Sequence, residues 1–513
     1  MRRKLAVLAA LCAALTLAGP SSALDVGVTE DEGNTNPSFV YATLQDLGMT
    51  TNVMSIRWNP LDPLGLPANF QDIKGAASVA AAHGVSIILA TYQEKNTGIT
   101  DTPDAPAVFA QWLQKVAQEC PLCARKVIVL NEPNLQFFFK PTFDGSCMPA
   151  SPAAYAEVLA AGYDALKAVD PTIRVYGLGL SPRGNDNCNA VSNVSMSPVS
   201  FLAELGKAYK AMGRNAPLMD ALSFHPYPNA NNQGPEVGYL WPNVGVPNLD
   251  RLKQVFHDAF AGTAQPVIGV SSTVRTTSAV LAPINIALDE LGYQVDTQGG
   301  AGYTESENVP SISEATQAEW YADVIARYAC DPSVETINFF HLRDEFDRRR
   351  FQSGLVRLDG SKRPSYDAVK GAIAQNKTCQ GTPVSWRPAK TVIGAKALWP
   401  RGKKFSKKQS GFRFQLTAEE RATYEAELVV ASGGTPTKGK GKDKGKGKGK
   451  GRKPLAKAKP LASVTGELRA YFRPFVVFKG KLAPGTYMFK VTVVAAMNPS
   501  RTSTFTSPAF TVK

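Results

Sequence analysis

From residue 24 to about residue 375 the chain alternates short apolar runs with longer stretches of helical spacing. The runs begin at Asp25-Val-Gly-Val28, Val53-Met-Ser-Ile-Arg57, Val85-Ser-Ile-Ile-Leu-Ala90 and Lys126-Val-Ile-Val-Leu130. They continue at Ile173-Arg-Val-Tyr-Gly177, Ala221-Leu-Ser-Phe-His225, Ile284-Asn-Ile-Ala-Leu288 and Thr336-Ile-Asn-Phe-Phe-His341. Uninterrupted apolar runs of this length are expected of strands buried on both faces. Between them, stretches such as Pro152 to Val169 and Ser313 to Ala329 read as helices, with Pro152 in a first turn and Ser151 as its cap. Strands alternating with helices predict a parallel sheet with helical crossovers. Eight such units within residues 24–380 predict an α/β fold, a (β/α)8 TIM barrel with loop insertions, a doubly wound open sheet being the alternative.

The pattern changes after residue 382. Gly411-Phe-Arg-Phe-Gln-Leu416, Thr423 to Val430, Val464 to Phe472 and Thr486 to Val493 are short β-rich runs, the last preceded by the turn signal Leu482-Ala-Pro-Gly485. Residues 383–513 therefore read as a small all-β sandwich of immunoglobulin or fibronectin type. A Lys/Gly-rich insertion at 435–460 interrupts it. From Lys438 to Lys459 that insertion carries 11 basic residues and one Asp, with almost nothing apolar to bury, so disorder is expected.

Charge marks the same boundary. The chain carries +14 in all, and residues 383–513 hold 28 Lys/Arg against 6 Asp/Glu, or +22. With +3 in the first 23 residues, the body between carries −11. The basic tract is either a solvated insertion or an electrostatic tether to acidic cell-envelope polymers. It lacks the interleaved aromatics that base stacking needs, so no specific nucleic acid partner is expected.

The N-terminus reads as a cleavable signal peptide over residues 1–23. Arg2, Arg3 and Lys4 precede an apolar stretch from Leu5 to Ala18, and Ser21-Ser22-Ala23 supplies small residues for cleavage, an uncleaved anchor being the alternative. No later segment is apolar enough to span a membrane, so a secreted, extracellular protein is expected. Export permits disulfides among Cys120, Cys123, Cys147, Cys188, Cys330 and Cys379. In the predicted barrel, Cys147 and Cys188 follow the fourth and fifth strands at the top face. Cys330 and Cys379 follow the seventh and eighth helices at the bottom, and Cys120 and Cys123 end the third helix. The expected pairs are Cys147–Cys188, Cys330–Cys379 and Cys120–Cys123. A zinc site at Cys120-Pro-Leu-Cys123 is the competing reading, weakened by the lack of a second ligand pair at suitable spacing.

The chemistry concentrates at strand ends. The fourth run ends in Asn131-Glu132-Pro133-Asn134, and the seventh delivers Asp289-Glu290 before Gly292 and Tyr293. Two strand-end carboxylates in one barrel are what hydrolysis of a glycosidic bond requires. Asn131-Glu132-Pro133 with Glu290 resembles the retaining glycoside hydrolases of the large (β/α)8 clan, clan A, that includes cellulases, β-xylosidases and β-mannanases. Arg57 at the end of the second strand, His225-Pro-Tyr227 at the end of the sixth, and Phe351-Gln-Ser-Gly-Leu355 with Arg363-Pro-Ser-Tyr366 are similar to further elements of that clan. The resemblance covers about residues 24–375. It departs at the eighth strand, where the clan commonly carries a Trp and this chain has Phe339-Phe340-His341.

The resemblance implies Glu132 as acid/base and Glu290 as nucleophile, with Asp289 the alternative if the assignment slips by one. A strand alternates its faces, so only one of that pair is expected to reach the mouth. Substrate-binding roles fall to Arg57 beside the nucleophile, Asn131 on the sugar 2-hydroxyl, Tyr227 on the Glu290 carboxylate, His225 orienting Glu132 or the sugar, and His341. Trp58, Phe137, Phe138, Phe139, Trp241 and Tyr303 are either core or sugar platforms. The expected activity is retaining hydrolysis of a β-linked glycoside or polysaccharide, without metal or organic cofactor. The alternative is a non-catalytic carbohydrate-binding or envelope-associated protein on the same scaffold.

Overall fold

A computed structural model of the chain describes residues 24–94, 97–297, 299–400, 402, 404–431 and 460–513. The expected signal segment and all but the last residue of the Lys/Gly-rich insertion lie outside the described residues. Eight parallel strands close into a barrel in chain order: β1 (Asp25–Thr29), β2 (Thr51–Trp58), β3 (Ser86–Gln93), β4 (Lys126–Val129), β5 (Arg174–Leu180), β6 (Ala221–Phe224), β7 (Asn285–Leu291) and β8 (Val334–Phe339). Each is followed by a helix: α1 (Pro37–Leu47), α2 (Phe70–Ala82), α3 (Ala105–Glu119), α4 (Ser151–Val169), α5 (Pro198–Ala211), α6 (Leu249–Phe260), α7 (Glu314–Tyr328) and α8 (Pro364–Gln375). The open doubly wound alternative is thereby excluded. A small hairpin, Ser272–Thr273 with Val280–Leu281, precedes β7 and left no pattern in the sequence.

The apolar runs are continuous because both strand faces are buried. Val28, Ile56, Leu89, Val129, Val175, Leu222, Leu288 and Ile337 point outward and join the helices in one core. Val53, Ile88, Ala90, Ile128, Tyr176, Ala221 and Ala287 fill the barrel interior as a separate cluster. Ser313 caps α7 as its side chain accepts from the Thr316 amide. Ser151 does not cap α4. It is the first helical residue, and its amide and that of Ala150 are both taken by the Thr142 carbonyl, so the expected cap is corrected.

The three expected cysteine pairs are present as disulfides. The Cys120–Cys123 bond excludes the zinc reading, since its sulfurs are bonded to each other. Cys147–Cys188 joins the loops that follow β4 and β5.

The C-terminal region forms two packed sheets. Its strands are β9 (Lys396–Leu398), β10 (Lys404–Phe405), β11 (Gly411–Thr417), β12 (Ala422–Val430), β13 (Ala462–Leu468), β14 (Phe475–Lys479), β15 (Gly485–Ala495), β16 (Thr502–Thr506) and β17 (Phe510–Val512). One sheet runs β9-β11-β14; the other runs β10-β17-β15-β12-β13, with β16 also on β15. Phe412, Phe414, Leu428, Phe489 and Phe510 fill the space between them. This confirms a sandwich beside the barrel.

Candidate active site

The site lies at the C-terminal ends of the strands, where this fold gathers its loops. β4 stops at Val129, and the chain turns sharply through Leu130 (φ 54°) and Glu132 (φ 43°), both in the left-handed region. Such positions cost a non-glycine residue about 1–2 kcal/mol and persist where surrounding bonds over-determine them. Those bonds are present. The Thr91 hydroxyl accepts from the Leu130 amide at 2.8 Å, the Asn131 amide donates to the Thr91 carbonyl at 3.0 Å, and the Glu132 amide donates to the Gly179 carbonyl at 3.0 Å. The result is a Glu132 that is buried, with 8 % of its surface exposed.

Gly179 makes room for this arrangement. Its register with β6 is irregular and its φ is 47°. A Cβ there would stand 3.1 Å from Asn131 Oδ1 and 3.4 Å from His225 Nε2.

The second carboxylate arrives through a strand bulge. Ile337 of β8 pairs with Leu288 of β7, but Phe339 pairs with Leu291, so three steps on β7 oppose two on β8. A bulge breaks the alternation of faces. Leu288 and Leu291 both pack into the outer core, while Asp289 and Glu290 both turn inward. Regular alternation would turn only one of the two acids inward; the bulge turns both inward, and only Glu290 reaches the mouth. Asp289 sits lower, bonded to Asn338, and Glu290 stands at the mouth.

Each Glu290 oxygen accepts a phenol hydrogen, Oε1 from Tyr92 at 3.1 Å and Oε2 from Tyr227 at 3.0 Å. Burial first, and then the Glu290 charge, push both phenols well above their usual range, so they remain donors. His225 joins the two acids. Its Nδ1 is 2.9 Å from Glu132 Oε1 and 3.7 Å from Glu290 Oε2. Burial alone would lower the imidazole pKa, but the charges of Glu290 and Glu132 outweigh it and raise it to about 9. Glu132 is raised above the usual carboxyl range, chiefly by burial and further by the Glu290 charge, with His225 opposing. The two carboxylates thus occupy unlike surroundings, one desolvated beside an imidazole, the other held by two phenols.

Of the sequence-derived residues, Glu132, Glu290, His225 and Tyr227 come together, and Asn131 lies beside them with its buried Oδ1 unpartnered. Arg57 lies against Tyr92, one side chain removed from Glu290. Its guanidinium lies 5.6 Å from the Tyr92 ring centroid, and among the described residues it makes no ion pair with Glu290. Tyr92, its register neighbour on β3, reaches the carboxylate instead. His341 turns its Nδ1 to the Thr29 carbonyl at 2.9 Å, and beside it buried Glu30 accepts the backbone amides of Leu342 and Arg343. Sequence reasoning missed Tyr92 and Glu30. Tyr92 was legible in principle, as the last inward position of an apolar run.

Two aromatic groups flank the carboxylates. Tyr227, Phe340 and Phe351 pack with centroids 4.8–6.0 Å apart. On the other side Tyr92 meets Phe138 at 5.9 Å, and Phe138 meets Phe137, which is 76 % exposed. Trp58 and Phe139 are core residues, and Trp241 is partly buried against the core. Tyr303 is bonded to Asp344.

No family model matches the chain, and no curated protein matches it. Solved structures do. A glucosidase from Croceicoccus marinus is 13 % identical over 91 % of this chain and 94 % of that one, with a TM-score of 0.47. A GH5_18 protein from Streptomyces cattleya, in complex with GlcNAc, is 15 % identical over 75 % of this chain and 84 % of that one, with a TM-score of 0.46. An exo-β-1,4-mannosidase from Opitutaceae bacterium strain TAV5 is 13 % identical over 69 % of this chain, which spans 60 % of that one, with a TM-score of 0.41. Such identities speak to fold alone, and these TM-scores add nothing to the barrel read directly from its strand order.

Proposed function

We propose that this chain is a secreted retaining glycoside hydrolase acting on a β-linked glycoside or polysaccharide. The observation that carries the reading is the pair of buried carboxylates, Glu132 and Glu290, bridged by one imidazole nitrogen at the barrel mouth. The 2.9 and 3.7 Å distances from His225 Nδ1 bound Glu132 Oε1 and Glu290 Oε2 at about 6.6 Å apart, a limit reached only if the three atoms are collinear. That ceiling accommodates the retaining spacing of about 5–5.5 Å.

Glu290 is the nucleophile. Its carboxylate attacks the anomeric carbon as the glycosidic bond breaks, forming a glycosyl ester. Glu132 gives its proton to the departing oxygen, and burial together with the Glu290 charge favours the protonated acid that this step needs. Once the ester forms, the Glu290 charge is gone. Glu132 then takes a proton from water as that water attacks the anomeric carbon and releases Glu290. His225 holds the Glu132 carboxyl in place and shares its proton. Tyr92 and Tyr227 fix the Glu290 carboxylate, Asn131 meets the sugar 2-hydroxyl, and Arg57 and His341 line the mouth around the substrate.

The signal-like N-terminus and three disulfides support export. The chain divides at about residue 380, and the basic part of the C-terminal region associates with acidic envelope polymers, an association that rising salt should weaken.

The test is reducing-sugar release by the mature protein from β-glucans, xylans, mannans and galactans, with Glu290→Gln alongside. Release by the wild type and a loss of at least about 10³-fold in the variant is expected. Polysaccharide binding without release by either protein would replace this reading with the non-catalytic one.

A further inference from the structure

We infer that Asp289 is a positioning residue for Glu290: its side chain and carbonyl lock the bulge that turns the neighbouring carboxylate into the barrel mouth. The inference rests on the reading of Glu290 as nucleophile.

Asp289 has no exposed surface, and a carboxylate buried inside a barrel needs a reason. Two other strands bond to it directly, and a third supports one of those bonds. The Thr29 hydroxyl at the end of β1 donates to the Asp289 carbonyl. Asn338 of β8 donates through Nδ2 to Asp289 Oδ1 at 3.1 Å, and Thr51 of β2 donates to Asn338 Oδ1 at 2.7 Å. Gly27 of β1 leaves the space for this relay, since a Cβ there would stand 2.3 Å from the Thr51 hydroxyl and 2.6 Å from Asn338 Oδ1. These contacts hold the inserted residue at the step where the β7–β8 register shifts. Without them β7 is free to regain regular alternation, which would swing Glu290 toward the outer face.

Burial pushes the Asp289 carboxyl up to about 6, while the Ser223 hydroxyl of β6 and Asn338 favour its charged form. The titratable groups facing it are His225 from the end of β6, Glu335 from β8, Tyr176 from β5 and its neighbour Glu290. Its negative charge is one of those that raise the His225 pKa. Asp289 therefore acts on both acids, on Glu290 through geometry and on the Glu132–His225 pair through charge.

The experiment compares wild type, Asp289→Ala and Asp289→Asn in the mature chain, reading kcat, KM and the pH profile, with the His225 titration followed by NMR in histidine-labelled protein; the chain has only four histidines. In Asp289→Ala kcat should fall about 100-fold with KM within about threefold, as expected of a misplaced reacting group. Asp289→Asn keeps the acceptor for Asn338 and should recover most of kcat. Its alkaline limb and its His225 titration should both move to lower pH, since a nearby negative charge is lost. A folded Asp289→Ala with wild-type kcat would overturn the inference, as would an Asp289→Asn as slow as the Ala variant. An unshifted His225 titration would also overturn it, and that readout needs no turnover. A wild type inactive on every glycan would instead strike the glycosidase reading.

Discussion

One imidazole nitrogen stands between two carboxylates, and much of the site's pH behaviour follows from it. His225 is raised from 6.5 to about 9, so its bound proton stabilises the fold fully below about pH 6.5, and that stability is lost as pH rises through about 9. The shift corresponds to a contribution on the order of 3 kcal/mol. Thermal melting of the wild type should therefore fall more steeply between pH 7 and 9.5 than that of His225→Gln, and equal slopes would contradict this. Phe137 is exposed on the same loop as the proposed acid. Phe137→Ala should raise KM for an oligosaccharide several-fold while sparing a methyl glycoside, measured by steady-state kinetics. Glu132 and Glu290 were legible because each closes an apolar run, which is visible in a linear string, and His225 and Tyr227 through the resemblance of His225-Pro-Tyr227 to the clan's element. The contacts of Arg57 with Tyr92 and of His341 with the Thr29 carbonyl were not, because they depend on what the adjoining strand presents.

Strands buried on both faces write themselves as unbroken apolar runs, and all eight barrel strands were read that way. Irregularities do not write themselves. The bulge at Asp289–Glu290 exists only as a mismatch between β7 and β8, so neither strand's own sequence carries it. The short strands around the sandwich rim, such as β9, β10 and β17, are too brief to show a period. Loops are legible where chemistry marks them, as Cys147 and Cys188 do. That bond spans a sequence separation of 41 and ties the Glu132 loop to the loop after β5, which the Gln136 amide also grips through the Val194 carbonyl. Replacing both cysteines with serine should cost about 2–4 kcal/mol in urea unfolding and lower kcat by loosening the acid. Unchanged unfolding would show that the bond contributes little beyond the loop's own hydrogen bonds.

At the scale of the molecule, the sandwich is pinned to the barrel by a buried ion cluster. Arg501, at the end of the β15–β16 turn, reaches Asp258 of α6 at 2.9 Å and Glu420 at 2.6 Å, and all three are almost fully buried. Asn498 adds a bond to Asp258 at 2.7 Å, and Arg251 one to Tyr471 at 2.8 Å. Removing one partner strands the others without solvent. Arg501→Ala should cost about 3–5 kcal/mol and expose the junction to limited proteolysis, whereas an apolar replacement of the whole cluster should be far milder. The charge asymmetry between the acidic barrel and the basic C-terminal region marked the boundary in the sequence, but the clamp across it was invisible there, since its members lie 81 and 243 residues apart in pairs.

The central claim is that Glu290 forms a glycosyl ester while Glu132 handles the proton. Intact-mass and peptide mapping after incubation with 2-deoxy-2-fluoro glycosides of the gluco, manno, xylo and galacto series tests it most directly. One sugar adduct per chain is expected, located on Glu290 and absent from Glu290→Gln. Turnover of a natural glycan with no adduct from any of these reagents, or an adduct on Asp289, would contradict it.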